Sequence, residues 1–154
     1  MAAFASGVTV VTTRWQGVGH AMTATAFCSV SLDPPLVLVC VSRQSRFHAA
    51  VTQADGWSVS LLSAGQERVA RHFANSGREL QTQFANVPHT RGAITGAPLI
   101  DGALGWLECT TYAVHDGGDH TILVGRVEES SRDPAPKEPL TYYRGTYFQP
   151  SDVR

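Results

Sequence analysis

Short runs of β-branched and aromatic residues, separated by glycine, proline or polar turns, restrict the fold of this 154-residue chain more than any other feature. Two stretches, 45–54 and 65–74, have a helical pattern instead, and a Ser63/Gln66 capping box precedes the second. The regular alternation of strand and helix that builds a parallel sheet is missing. We therefore predict a mainly β protein, an antiparallel β-barrel with helical caps. The predicted strands are 7–13, 20–32, 36–41, 57–63, 104–115, 120–129 and 140–148.

Length, composition and charge restrict the classes of protein to which the chain can belong. They predict a single domain over residues 1–154, with 43% hydrophobic and 16% charged residues, as in a globular protein. A formal net charge of −1 creates no field that would attract nucleic acid or an anionic membrane. The longest apolar run, 36–41, is too short to cross a bilayer, and no charged-then-apolar leader precedes the first strand. We expect a cytoplasmic protein that binds neither nucleic acid nor a membrane.

Several kinds of catalytic or metal-binding motif are absent from the sequence. The cysteines Cys28, Cys40 and Cys109 have no CxxC spacing and have apolar or β-forming neighbours, which predicts buried thiols in a reducing compartment. The histidines are scattered, so we expect no metal site. Walker, HExxH, GxSxG and complete dinucleotide-binding glycine motifs are all missing. If the chain is an enzyme, its reactive atom therefore belongs to a cofactor.

The segment "MTATAF" within the predicted strand 20–32 is the first candidate binding surface. Strand alternation puts Thr23 and Thr25 on one face and Ala24 and Ala26 on the other. Small and hydroxyl-bearing residues leave space for a flat polar heterocycle to lie against the sheet. An ordinary half-buried strand, whose threonines contact cross-strand neighbours, explains the same pattern. Both interpretations remain open.

The segment "VSRQSRF" joins the predicted strand 36–41 to the predicted helix that follows it. Ser42, Ser45, Arg43 and Arg46 supply hydroxyl and guanidinium groups near a helix start, where anions such as phosphate bind. A solvated helix start with a serine cap is the alternative interpretation.

Two further candidates lie in the second half of the chain. His120 follows two glycines and Asp119 at the mouth of a hairpin, where it is either structural or positioned to orient a ligand. The aromatic residues of "YYRGTY", Tyr143 among them, are typical of a core or an interface, whereas Arg144 could reach a phosphate.

The order of these motifs carries more information than each motif alone. The segments "GVTVVTT", "MTATAFCSVSLDPPLVLVCVSRQS", "VARHFA", "GDHTILVGRVEE" and "PLTYYRGTYF" together resemble the flavin reductase-like family. That family has the FMN-binding split-barrel fold, of Greek-key type, and the resemblance covers about residues 6–148. Its members are typically homodimers that use NADH or NADPH to reduce FMN or FAD. The reduced flavin commonly passes to a separate monooxygenase.

The resemblance implies roles for particular residues and a hydride transfer from nicotinamide to flavin. That reaction needs stacked rings and bound charge but no acid–base dyad. A non-catalytic flavin-binding or storage split barrel remains the alternative. The implied contacts are Thr23, Ala24, Thr25 and Ala26 along the isoalloxazine and ribityl chain; Ser42, Arg43 and Ser45 at the flavin phosphate; Phe73 near the flavin; His120 beside nicotinamide; and Tyr143 and Arg144 in the pyridine-nucleotide region.

Overall fold

The computed structural model describes residues 3–149, in which β-strands dominate. The helices are α1 (Arg46–Val51) and α2 (Glu67–Ala74), and a 3₁₀ turn (Ala64–Gln66) leads into α2. The predicted mainly β class is confirmed. The strands are β1 (Ser6–Gly7), β2 (Thr9–Trp15), β3 (Val18–Ala24), β4 (Phe27–Leu32), β5 (Pro35–Ser42), β6 (Gly56–Leu61), β7 (His89–Arg91), β8 (Pro98–Ile100), β9 (Gly105–Gly117), β10 (His120–Arg132), β11 (Thr141–Tyr143) and β12 (Thr146–Phe148).

One antiparallel sheet of seven strands, in the order β3-β2-β6-β9-β10-β5-β4, forms the body of the molecule. Its edge strands, β3 and β4, are consecutive in sequence and only Thr25 and Ala26 separate them. A flat sheet of this size would hold its edges about 29 Å apart. Because three Cα–Cα steps span at most about 11 Å, the sheet must curl. The result is a barrel that is split between β3 and β4, as the resemblance predicted.

Alternation along the strands divides the hydrophobic core into two parts. Within the barrel, Val39, Trp57 and Leu123 are fully buried, and α1 adds Phe47 and Val51 to the same cluster. The short helix α1 therefore contributes apolar side chains to the barrel core.

The second hydrophobic cluster lies outside the barrel wall, beneath α2. Ala70 and Phe73 of this helix pack with Val10 of β2 and with Leu140. Val10 belongs to this cluster and its neighbour Val11 to the barrel core, because successive strand residues point to opposite faces.

Two of the predicted strands were wrong in their extent. The predicted strand 20–32 breaks at Thr25–Ala26, where the chain passes from one sheet edge to the other. The predicted strand 140–148 is a hairpin, because Arg144 (φ 49°) and Gly145 (φ 82°) turn the chain between β11 and β12. Residues 76–103, in which no strand was predicted, contain the pair β7 and β8.

Cysteine burial agrees only in part with the prediction of three buried thiols. Cys109 is fully buried, and burial raises the pKa of its thiol to about 12. Cys40 is half-buried, whereas Cys28 is exposed, so the prediction was wrong for Cys28. Strand β4 lies at a sheet edge, and its residue Cys28 points away from the barrel core. Within residues 3–149, no helix has the length and apolar character needed to cross a bilayer.

Candidate functional site

A cavity of about 420 Å³ lies at the split of the barrel. The end of β3, the link to β4, the end of β5, α1 and the segment that follows α2 all contribute to its wall. Most of the candidate residues lie here although they are far apart in sequence. Those lining the cavity are Thr23, Ala24, Thr25, Ala26, Ser42, Ser45, Phe73 and His120.

Small side chains form the wall where β3 ends. Ala24 is buried, and Thr25 and Ala26 are exposed in the two-residue link. The hydroxyl of Thr23 donates a 2.6 Å hydrogen bond to the Ala70 carbonyl and so ties β3 to α2. Its proton is therefore committed to the fold, and only its oxygen lone pairs remain for a ligand.

The two serines that follow the buried strand β5 have different tasks. The Ser45 hydroxyl donates to the Ser42 carbonyl at 2.8 Å and accepts from the His48 N–H at 3.1 Å, so it caps α1. Among the described residues, the Ser42 hydroxyl has one long contact, in which it accepts from the Gln44 N–H at 3.4 Å, and it donates to none of them. Because α1 has only six residues, charged side chains matter more than the helix dipole for binding an anion here.

Arg46 and Arg78 are the cations that line the cavity. The Arg78 guanidinium donates to the carbonyls of Ala21 and Asn75 and, at 2.8 Å, to Gln83 Oε1. Arg46 Nη2 donates to the Arg78 carbonyl at 2.9 Å. Within residues 3–149 neither arginine forms an ion pair.

The positive charge of Arg46 interacts unfavourably with Arg78 and with the protonated form of His20. Burial first, and then the charge of Arg46, lowers the pKa of Arg78. The same two causes lower the pKa of His20, which lies beside both arginines in a small adjoining cavity. Two like charges without a carboxylate partner in the described chain are stabilised by any anion that enters the cavity.

Phe73 supplies the aromatic part of the wall. Phe73 is almost completely buried and lines the cavity. The Arg78 Cζ atom lies over the Phe73 ring, 5.5 Å from its centre, and the centres of the Phe73 and Phe84 rings are 5.1 Å apart. A cation–π interaction therefore holds the Arg78 guanidinium against Phe73.

His120 begins β10 and pairs in register with Ser42 of β5, which brings it to the cavity. Its Nδ1 atom lies 2.7 Å from Asp119 Oδ1. This hydrogen bond is the main reason that the pKa of Asp119 is lowered. With Nδ1 donating to the carboxylate, Nε2 is the ring nitrogen that can accept a hydrogen bond from a ligand.

Three candidate residues do not line this cavity. Arg43 instead forms an ion pair with Asp116 at 3.2 Å. Arg144 lines a second cavity of about 480 Å³, which shares Thr25 and Ala26 with the first. Tyr143 lines neither, and its ring centre lies 5.2 Å from the Arg144 Cζ atom.

Sequence reasoning missed Arg78 as a site residue. It lies after α2 in residues 76–103, where no strand or helix was predicted and no motif distinguishes it. Only the folded chain brings its guanidinium to the edge strand β3 and to Phe73.

The chain as a whole matches the model of the flavin reductase like domain over residues 1–151. It belongs to the flavin reductase-like family. The chain is 44% identical over 145 residues to the "NADH-dependent FAD reductase" of Streptomyces globisporus, covering 94% of this chain and 79% of that protein. It is 38% identical over 145 residues to the "Flavin-dependent monooxygenase, reductase subunit HsaB" of Mycobacterium tuberculosis, covering 94% and 75%.

A solved structure of the same family has a similar fold. The NADH:FAD oxidoreductase SgcE6 of Streptomyces globisporus, in complex with NAD and FAD fragments, superposes with a TM-score of 0.89. The two sequences are 42% identical, and the match covers 99% of this chain and 90% of that one.

Proposed function

We propose that this protein is an NADH-dependent flavin reductase that reduces FMN or FAD. The observation that carries the proposal is the cavity at the barrel split, where small residues, His120 and two arginines that form no ion pair within residues 3–149 meet. Membership of the flavin reductase-like family and the names of its relatives support it.

The residues present fit a flavin. A volume of about 420 Å³ is within the range of cofactor cavities. The wall of Ala24, Thr25 and Ala26 lets a flat ring approach the backbone closely, and Phe73 lies on the same cavity. When both ligands are bound, nicotinamide supplies a hydride and the flavin accepts it. The chain itself binds the two rings, orients them and excludes water.

Arg46 and Arg78 account for the binding of an anionic flavin tail. They form no ion pair within the described chain, and burial first, then the charge of Arg46, lowers the pKa of Arg78. A phosphate between them would offset the repulsion of the two like charges. Ser42, on the same cavity, adds a hydroxyl that can donate its proton to the phosphate, whereas the proton of Ser45 already goes to the Ser42 carbonyl.

His120 and Arg144 occupy positions suited to the pyridine nucleotide. The Nε2 atom of His120 can accept a hydrogen bond from the nicotinamide amide. The second cavity, which Arg144 lines, continues beyond Thr25 and Ala26 and can take a further part of a dinucleotide. Tyr143 stacks near Arg144 and supports it rather than lining either cavity.

A homodimer is part of the proposal. Leu36 and Leu38 of β5, with Ile122 and Val124 of β10, point away from the barrel core because the alternate residues of both strands point into it. The helix α2 packs on β2 and β3 instead. An apolar sheet face of this kind suits a second copy of the chain.

The reduced flavin then passes to a partner monooxygenase, as the name of the Mycobacterium tuberculosis reductase subunit suggests. The cytoplasmic location is a further part of the proposal and is supported by the free cysteines. The test is oxidation of NADH or NADPH by the purified protein with FMN, FAD or riboflavin added. Flavin-dependent turnover supports a reductase, whereas tight flavin binding without turnover would indicate a storage protein and contradict the proposal.

A further inference from the structure

We infer that Arg43 is a positioning residue, which fixes the turn between β9 and β10 and thereby sets the place of His120. The inference rests on the proposed function, since it gives His120 a ligand to orient. Arg43 directly follows Ser42, the last residue of β5 and the register partner of His120.

Arg43 holds the turn through its backbone and its side chain. Its N–H donates to the Asp119 carbonyl at 3.0 Å, which extends the pairing of β5 with β10 by one residue. Its Nη2 atom lies 3.2 Å from Asp116 Oδ1 at the end of β9. The residue therefore joins β5 to both sides of the hairpin tip.

Asp116 passes this restraint on to the tip. The same oxygen, Oδ1, accepts from the Gly118 N–H at 2.7 Å, and Gly118 has the positive φ of 77° that the turn requires. The Gly118 N–H and the nearby Arg43 lower the pKa of Asp116, so the carboxylate stays charged. One carboxylate thus links the Arg43 guanidinium to the turn backbone.

Asp119 completes the connection to the ring. Its carbonyl is held by the Arg43 N–H, and its carboxylate receives Nδ1–H of His120. The direction in which His120 Nε2 points depends on that peptide unit. A turn that rotates freely would leave the ring on the cavity wall without a defined direction.

The position of the Arg43 side chain separates this role from phosphate binding. Arg46 and Arg78 line the cavity, and Arg43 is engaged with Asp116 outside it. If Arg43 bound the flavin phosphate, its substitution would weaken the binding of FMN but not that of riboflavin. If Arg43 positions His120, its substitution should raise the KM for NADH and leave the affinity for both flavins unchanged.

Arg43→Gln tests the inference. Because the ion pair is exposed, we expect the KM for NADH to rise about two- to fivefold, with the Kd values of FMN and riboflavin unchanged. Asp116→Asn keeps an oxygen for the Gly118 N–H and removes the charge, so it should give the same rise. The double variant should be no worse than either single variant. Arg43→Lys should recover part of the loss, and Arg126→Gln, which removes an exposed charge from β10, is the matched control.

Amide hydrogen exchange supplies a readout that needs no activity. We expect faster exchange at the Gly118 and Arg43 amides in the Arg43→Gln protein. If the wild-type protein does not oxidise NADH, the proposed function fails while this measurement still tests the restraint on the turn. Unchanged NADH kinetics in both single variants, unchanged exchange, or a loss of FMN affinity relative to riboflavin would each overturn the inference.

Discussion

Replacing Arg46 with glutamine tests how the cavity recognises a flavin nucleotide. Arg46 is exposed, and the one hydrogen bond of its side chain within the described residues is to the Arg78 carbonyl, so the variant should keep its stability within about 0.5 kcal/mol. A charge-assisted contact with an anion is worth about 1.5–3 kcal/mol. Solvent exposure reduces this to about 1–2 kcal/mol. We therefore expect FMN to bind about five- to thirtyfold more weakly.

Riboflavin is the matched ligand because it has the same rings and no phosphate. Its Kd should change by less than about twofold in Arg46→Gln, since the variant removes no contact with the ring system. Fluorescence titrations of both flavins at low and high salt provide the measurement. In the wild-type protein, salt should weaken FMN more than riboflavin, and the variant should reduce that difference.

Arg78→Lys should also weaken the binding of FMN more than that of riboflavin, and it should lower the stability of the fold as well. Lysine keeps the charge but cannot reproduce the planar set of donors that Arg78 directs at Ala21, Asn75 and Gln83.

Two results for Arg46→Gln would contradict the reasoning. Equal weakening of FMN and riboflavin binding would show that Arg46 only shapes the cavity wall. Unchanged affinity for both flavins would place the phosphate elsewhere.

Three other outcomes are expected. Thr23→Val should lower the free energy of unfolding by about 1 kcal/mol in chemical denaturation, because it removes the hydrogen bond to the Ala70 carbonyl. The flavin Kd should stay within about twofold of the wild-type value. A large loss of flavin affinity would show that Thr23 contacts the flavin directly. In the native protein, iodoacetamide should modify the exposed Cys28 and spare Cys109, because the raised pKa of Cys109 keeps its thiol protonated at neutral pH. Mass spectrometry that finds Cys109 modified first would contradict this. Leu38→Lys should convert a dimer to a monomer in sedimentation velocity, whereas a wild-type monomer at micromolar concentration would refute the homodimer.

The sequence predicted the fold class because strand patterns are local. The break at Thr25–Ala26 was not predictable in this way, since the alternating pattern runs on through it. It exists because the sheet closes on itself, which is a property of the whole chain. The turn at Arg144–Gly145 was missed for another reason, because an arginine at positive φ is rare and gives no warning in the sequence.

In the candidate site, too, the local motifs could be predicted from the sequence, whereas the contacts that depend on the whole fold could not. The contiguous motifs around Ser42 and His120 could be found because the order of motifs resembles a family. Arg78 could not be found, since its role comes from contacts with residues such as Ala21, distant in sequence. The resemblance implied that Arg43 contacts the flavin phosphate, whereas in the structure its side chain pairs with Asp116 and does not line the cavity, because proximity in sequence does not decide where a long side chain points.

The measurement that tests the central claim most directly is pre-steady-state reduction of bound flavin by NADH in His120→Ala. If the barrel split holds the flavin and His120 orients nicotinamide, this variant should need more NADH or transfer hydride more slowly, while its flavin Kd and melting temperature stay close to those of the wild-type protein. Normal flavin reduction in the folded variant would contradict the claim. A parallel loss of flavin affinity and thermal stability would contradict it as well, because it would make His120 a purely structural residue.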